Sequence, residues 1–235
     1  MTTAMEIQNL TLEYPVPRKY RKENFEPSGI RDISLSVRKG EVLGIIGHNG
    51  SGKSTLLKLM AGVFPPDTGS IAIRGSVSLL AGVGVGFHKD LTGRENAYLY
   101  GALMGRTQKQ IDNLIDEIQQ FAELKHHFDR PLRTYSSGMK SRLGISVATA
   151  FNPDLLLIDE VLGVGDASFR EKSKKRVRKM IEKSGAVVIV SHSLGLLTEI
   201  CDRIIVLEDG KIIFNGNPNE GVEHYKKSLL IKPGY

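Results

Sequence analysis

The segment from Gly47 to Ser54 has the residue types and the spacing of a phosphate-binding loop. Its glycines let backbone N–H groups turn toward an anion, and a helix that starts directly after them adds a favourable dipole. Lys53 can reach the β- and γ-phosphates of a nucleotide, and the Ser54 hydroxyl can hold a magnesium ion. The candidate nucleotide-binding residues here are Gly47, His48, Asn49, Gly50, Ser51, Gly52, Lys53, Ser54 and Thr55.

The residues on either side of this loop decide between a phosphate-binding loop and an ordinary glycine-rich turn before a helix. The apolar run 42–46 precedes the loop and is typical of a buried strand, whereas residues 55–60 have a helical pattern. A strand, the loop and a helix in this order form the context that a working phosphate-binding loop needs. The sequence therefore predicts that the chain binds a nucleoside triphosphate.

Two further apolar runs end in polar residues that can do chemistry on a phosphate. Residues 155–158 lead into Asp159 and Glu160. Asp159 can share a magnesium ion with Ser54, and Glu160 can polarise a water for attack on the γ-phosphate. Residues 187–190 lead in the same way to His192, which can contact the γ-phosphate and orient that water. Alone, each of these patterns could simply end a strand; downstream of a phosphate-binding loop they predict a catalytic site.

A second phosphate-binding surface is predicted at Ser136, Ser137 and Gly138, which precede an apolar helical stretch. The alternative for this segment alone is a serine that caps a helix. Because one chain carries two elements suited to phosphate, we predict that two chains share each nucleotide.

The rest of the pattern indicates how these residues are positioned. Residues 5–14 alternate between apolar and polar and predict an edge strand, and residues 70–80 predict another strand. Residues 93–128 have a helical period. The later apolar runs are short and partly β-branched, which is typical of parallel strands covered on both faces by helices.

Composition restricts the class of protein. The chain has 235 residues, 25% of them charged, and its single cysteine, Cys201, excludes an internal disulfide. It has no run of about 18 apolar residues and no apolar N-terminal stretch, so we expect no membrane-spanning segment. The net charge of +6 is concentrated in residues 18–22 and 170–183. Such runs bind nucleic acid or anionic lipid, but they also form solvated helix faces, and Val177, Met180 and Ile181 at helical spacing favour a solvated face.

Together these segments resemble the nucleotide-binding subunit of an ABC transporter over nearly the whole chain. The resemblance implies an α/β fold: a P-loop NTPase (RecA-like) core with an N-terminal antiparallel β subdomain and an inserted α-helical subdomain. It implies one ATPase domain over 1–235, with the core at 1–88 and 143–235 and the helical insertion at 89–142. It also implies that Glu160 and His192 are catalytic, that Tyr14 stacks on adenine, and that Ser136, Ser137, Gly138 and Asp166 bind the nucleotide of a second copy.

The form Tyr135–Met139, together with the motif at 91–96, is similar to the ATPases that export lipid-linked O-antigen, capsule or wall teichoic acid. The resemblance then implies ATP and Mg²⁺, a homodimer, two copies of a membrane permease and a place on the cytoplasmic face of the membrane, without nucleic acid. The sequence departs from the family in having no glutamine between Arg74 and Thr107, where one is expected at 81–83. Two alternatives remain: a soluble ABC-type ATPase that acts on nucleic acid or ribosomes, and an ABC subunit for another substrate.

Overall fold

The computed structural model describes residues 2–15, 28–80, 86–159 and 167–231. The strands in these ranges are β1 (Thr3–Glu13), β2 (Gly29–Arg38), β3 (Val42–Ile46), β4 (Thr68–Ile73), β5 (Val77–Leu80), β6 (Leu155–Asp159), β7 (Val187–Val190), β8 (Arg203–Glu208) and β9 (Lys211–Gly216). The α-helices are α1 (Lys53–Met60), α2 (Gly93–Leu103), α3 (Gln108–Ala122), α4 (Ser137–Ala148), α5 (Ala167–Lys183), α6 (Leu194–Ile200) and α7 (Pro218–Ile231). None of the helices in these ranges is long and apolar enough to cross a membrane.

The first sheet is antiparallel, with the order β2-β1-β4. The prediction that residues 5–14 form an edge strand is therefore wrong, because β1 is the central strand: Met5 pairs with Val37 on one side and with Ile73 on the other. The alternation of apolar residues identified the buried face correctly, since Met5, Ile7 and Leu10 are almost fully buried. Alternation carries no information about which edges of a strand are paired.

The second sheet has the order β5-β6-β7-β3-β8-β9, and only β9 runs antiparallel to its neighbour. The later parallel strands are buried as predicted; every residue of β7, for example, is buried. An α/β core beside an antiparallel β subdomain and a helical subdomain confirms the fold class predicted from the sequence.

Residues 70–80 form two strands in different sheets rather than one. A turn at Gly75, which has a φ of 107°, separates β4 from β5. The Asp154 carboxylate holds this turn by accepting hydrogen bonds from the backbone N–H and the hydroxyl of Ser76, at 2.8 and 2.9 Å. A long-range contact therefore decides the break, and the sequence signal for it is a single glycine.

Helices α2, α3 and α4 pack around a separate apolar core that includes Ile118, Phe128 and Leu143. The loop before α2 is tied to the segment that leads into α4, because the Leu91 carbonyl accepts a hydrogen bond from the Leu132 N–H at 2.8 Å. Asn96 is fully buried and clamps the same loop with its side-chain amide. The helical part of the chain thereby fixes the position at which α4 begins.

Helix α5 buries Val177 and Met180, as predicted, and half-buries Ile181. The expectation that its charges simply face water is wrong for two of them. Arg176 forms an ion pair with Glu117 of α3 at 2.7 Å, and Lys172 reaches Glu123 at 2.6 Å. These side chains attach α5 to the helical core, a tertiary contact that a helical pattern does not reveal.

Candidate nucleotide-binding site

Strand β3 delivers the loop 47–52 to one edge of the second sheet, and α1 starts directly after it. Gly50 and Gly52 adopt φ values of 84° and 104°, a left-handed region that favours glycine. A Cβ at Gly47 would lie 2.3 Å from the Leu207 carbonyl oxygen and 2.6 Å from Ser51 Oγ, so no side chain fits there. The glycines are thus required by the shape of the loop.

The start of α1 offers backbone N–H groups to an anion. Gly52 occupies the N-cap position without a side-chain cap, and the first turn contains no acidic residue. By contrast, α2 and α3 begin with the capping side chains of Thr92 and Thr107. Because the first N–H groups of a helix have no partner within the helix, an uncapped start that follows a glycine loop suits a phosphate group.

Lys53 places its ammonium group inside the loop. Its side chain is largely buried, and Nζ donates hydrogen bonds to the carbonyl oxygens of Gly47 and His48, both at 2.7 Å. These charge-assisted bonds fix the loop around the ammonium group. A positive charge is therefore held inside the curve of the loop, where it can stabilise the negative charge of a polyphosphate.

The other predicted groups reach the same edge of the sheet because three neighbouring strands end level with one another. Val190 of β7 lies opposite Asp159 of β6 on one side and opposite Ile45 of β3 on the other. The chain therefore leaves β7 toward His192 beside both Asp159 and the loop.

An open cleft of about 370 Å³ lies at this edge of the sheet. The described residues that line it are Tyr14, Ser28, Gly29, Asn49, Gly50, Gly52, Lys53, Ser54, Thr55, Asp159, Val190 and His192. The structure thus brings the predicted loop, the predicted metal ligands, His192 and Tyr14 into one site. Gly47, His48 and Ser51 lie in the loop itself without lining this cleft. The hydroxyl of Ser51 is buried and has no hydrogen-bond partner within the described residues.

Ser28 and Gly29 were missed by the sequence analysis. They line the cleft because the Tyr14 backbone N–H donates a hydrogen bond to the Ser28 carbonyl oxygen at 2.8 Å. This bond joins the chain just before residues 16–27 to the chain just after them. The signal available in the sequence was weak: a serine and a glycine directly before a strand.

Tyr14 lies at the mouth of the cleft, where 38% of its surface is exposed. Its hydroxyl is 3.3 Å from the Thr55 Oγ1 atom of α1. The antiparallel sheet thereby contacts the helix that follows the phosphate-binding loop. Tyr14 therefore combines a partly exposed side chain at the cleft with a hydroxyl that contacts Thr55.

Substitutions of Tyr14 separate these two contributions. Tyr14→Ala is expected to raise the Kd for ATP by about tenfold or more, since stacking on an aromatic ring contributes about 1–3 kcal/mol per base. Tyr14→Phe keeps the ring and loses the exposed hydrogen bond with Thr55, so we expect the Kd for ATP to rise by about two- to fivefold. Calorimetric titration with ATP measures both. The matched control is Tyr98→Phe, which removes a hydroxyl bonded to Asp112 of α3. Wild-type affinity for ATP in Tyr14→Ala would contradict a role for Tyr14 in nucleotide binding.

The predicted second phosphate surface lies outside the cleft. Ser136 is exposed and caps α4, its hydroxyl accepting a hydrogen bond from the Met139 N–H at 3.2 Å. The helix-capping alternative is thus confirmed; Ser136 and Ser137 are exposed at the start of α4, and Gly138 is half-buried. None of these three residues lines the cleft formed by the described residues.

Tyr135 fixes the chain directly before this surface. It is buried, and its hydroxyl donates to the His127 carbonyl oxygen at 2.6 Å. Burial, reinforced by the Asp129 carboxylate, raises the pKa of Tyr135 to about 12, so the hydroxyl stays protonated and keeps this bond. A Cβ at Gly93 would lie 2.4 Å from the Tyr135 hydroxyl, which explains the glycine at that position.

Several sequence predictions lie outside the described residues. They are the roles of Glu160 and Asp166, the region 81–83 in which the family's glutamine is missing, and the basic cluster at 18–22.

The described groups fit a nucleoside triphosphate with a divalent cation. The loop ends at the uncapped start of α1, and Lys53 supplies a positive charge there. Ser54 and Asp159 bring a hydroxyl and a carboxylate oxygen to the same cleft, and such oxygen donors are what Mg²⁺ prefers.

Comparison with known proteins shows which family and which relatives the chain is similar to. A family model described as "ABC transporter" matches residues 30–163. The chain is 43% identical over 200 residues to the O-antigen export system ATP-binding protein RfbB of Klebsiella pneumoniae, covering 85% of this chain and 81% of that protein. It is 42% identical over 203 residues to the ABC transporter protein AbcA of Aeromonas salmonicida, covering 86% of this chain and 66% of that protein.

A third relative is the teichoic acids export ATP-binding protein TagH of Lactococcus lactis, which is 41% identical over 198 residues. That match covers 84% of this chain but only 42% of TagH. The chain thus spans between less than half and about four fifths of the length of these relatives.

Solved structures show the same fold at lower identity. An ATP-binding subunit of an ABC transporter superposes with a TM-score of 0.77 at 21% identity, covering 97% of this chain and 100% of that one. A dimeric ATP-binding cassette bound to ADP and Pi superposes with a TM-score of 0.72 at 24% identity, covering 91% and 98%.

Proposed function

Because the chain belongs to the ABC transporter family, we propose that it is the ATP-binding and hydrolysing subunit of an exporter for a lipid-linked polysaccharide such as O-antigen, capsule or wall teichoic acid. The observation that carries the ATPase activity is the cleft in which Lys53, Ser54, Asp159 and His192 meet. The names of the relatives RfbB and TagH support the class of transported substrate.

ATP binds with its phosphates in the loop 47–52 and its base against Tyr14. Lys53 contacts the β- and γ-phosphates, and the uncapped start of α1 donates N–H groups to them. Ser54 and Asp159 would hold Mg²⁺, which would supply positive charge to neutralise the phosphates. Lys53, Ser54 and Asp159 are preorganised by α1 and β6, so little reorganisation of these groups is needed on binding.

Glu160 directly follows Asp159 and polarises the water that attacks the γ-phosphate in line. His192 contacts the γ-phosphate and orients both that water and Glu160. The proton leaves the water for the Glu160 carboxylate, and the bond between the γ-phosphorus and the β–γ bridging oxygen breaks.

Two copies of the chain pair head to tail. Ser136, Ser137 and Gly138 of one copy, with Asp166, complete the nucleotide site of the other. This arrangement is supported by the exposed start of α4, which suits phosphate but lies outside the cleft of its own chain. Closure of the dimer excludes water and completes the site, so hydrolysis depends on pairing.

The chain works as one ATPase domain, with a core at 1–88 and 143–235 and a helical insertion at 89–142. It attaches to two copies of a membrane permease, and the motion passes to them through residues 81–95 and the helical insertion. The subunit therefore acts on the cytoplasmic face of the membrane without crossing it.

Export is tested by Glu160→Gln in cells in which the variant replaces the wild-type chain. We expect ATP to bind but hydrolysis to fall by about a hundredfold or more, since the residue that takes the proton is lost. The lipid-linked polymer is then expected to accumulate on the cytoplasmic side of the membrane. Radiolabelling and extraction of the glycolipids measure this accumulation. Glu220→Gln, at an exposed position in α7, is the matched control. Loss of hydrolysis with normal surface polymer would contradict the transport function but not the ATPase.

A further inference from the structure

Three lysines form a stripe on one face of helix α5. Lys175, Lys179 and Lys183 are spaced four residues apart and all three are exposed. Residues at this spacing are neighbours on a helix surface, about 6 Å apart along its axis. Within the part of the chain that the structure describes, none of them forms an ion pair. Two acidic residues of the same helix, Glu171 and Glu182, offset part of this charge, and Glu171 is bound by Lys174 at 2.9 Å.

Two acidic residues that contact α5 from α3 and its C-terminal end are already engaged by other basic side chains. Glu117 is bound by Arg176 at 2.7 Å, and Glu123 is shared by Lys172 and Arg142 at 2.6 and 2.8 Å. Like charges four residues apart destabilise a helix by about 0.2–0.5 kcal/mol per pair. The three lysines therefore repel one another in the isolated chain, and an acidic partner would relieve that repulsion.

The stripe borders a groove of about 420 Å³ between α5, α3 and the end of α4. Apolar side chains of Leu114, Phe121 and Met180 line the groove together with the lysines. Leu114 and Phe121 are only half-buried, so the groove combines a basic wall with apolar surface. It shares no lining residue with the nucleotide cleft.

We propose that this groove, bounded by Lys175, Lys179 and Lys183, binds an acidic amphipathic helix of a protein partner. Carboxylates four residues apart on such a helix repeat about every 6 Å and match the spacing of the lysines. Its apolar face packs on Leu114, which is half-buried in the groove wall, as amphipathic helices do in grooves. This interaction goes beyond the transport function and does not depend on it.

Other anionic partners fit the groove less well. Single-stranded nucleic acid is bound by stacking on free aromatic faces, whereas the Phe121 ring is already covered by Arg176 and Lys172, whose charged ends lie 4.3 and 4.7 Å from its centre. A membrane surface is bound by apolar side chains that protrude among the charges, and here the apolar groups are recessed within the groove.

The test is binding of a labelled helical peptide of about 16 residues, with glutamate at every fourth position and leucine on the adjacent face. Fluorescence anisotropy on the full chain is expected to show binding that weakens with salt. The variant Lys175→Glu/Lys179→Glu/Lys183→Glu should lose at least about tenfold in affinity, because three attractive contacts become repulsive. Its ATP hydrolysis and thermal stability should match the wild type, since these lysines lie outside the nucleotide cleft.

The control variant Lys211→Glu/Lys226→Glu/Lys227→Glu changes the net charge by the same amount at exposed positions elsewhere. It should bind the peptide like the wild type. Absence of peptide binding to the wild-type chain, or an equal loss in the control variant, overturns the proposal. So does a result in which the α5 variant loses binding to a single-stranded oligonucleotide or to vesicles of phosphatidylglycerol while peptide binding is unchanged.

Discussion

Lys53→Met is expected to reduce ATP hydrolysis by about a hundredfold or more, the usual effect of removing one preorganised group that stabilises developing charge. The substitution removes the ammonium group from the centre of the loop while keeping a side chain of similar length. It also leaves the carbonyl oxygens of Gly47 and His48 without their charge-assisted hydrogen bonds. We therefore expect weaker ATP binding and a lower melting temperature together.

The matched control is Lys58→Met, in the same helix. Lys58 lies in the last turn of α1, with its ammonium group 5.7 Å from the centre of the Phe64 ring, and it does not line the cleft. Its replacement should leave hydrolysis close to the wild-type rate. Steady-state phosphate release measures both variants. Substantial hydrolysis by Lys53→Met would show that the loop does not position the phosphates as its geometry indicates.

The loop itself could be predicted from sequence because its function is local. A short motif records the loop's own turns and contacts: Gly50 and Gly52 adopt positive φ, and a Cβ at Gly47 would meet Ser51 of the same loop. The convergence of Asp159 and His192 on the loop was also predictable, since parallel strands end at a common edge.

Features that depend on distant parts of the chain could not be predicted in this way. The central position of β1 depends on pairing with β4, some 60 residues later in the chain. The break between β4 and β5 depends on Asp154. The ion pairs of α5 depend on Glu117 of α3 and on Glu123, the residue directly after α3. Local periodicity identifies a buried face, but it does not identify the partner that covers it.

If each nucleotide site is shared by two copies of the chain, as we propose, two inactive variants restore activity when mixed. Lys53→Met inactivates the loop. Ser137→Glu places a carboxylate at the first position of α4, where the helix dipole stabilises it but where it repels the partner's triphosphate. Gln108→Glu, at the first position of α3, is the matched control for Ser137→Glu and should remain active.

The measurement is ATP hydrolysis by an equal mixture of the Lys53→Met and Ser137→Glu chains. A mixed dimer pairs the intact loop of one copy with the intact α4 start of the other, so it carries one working site. Random pairing makes about half of the dimers mixed, so we expect about a quarter of the wild-type activity. A mixture as inactive as the separate variants, under conditions in which the wild-type chain dimerises, would contradict a shared site.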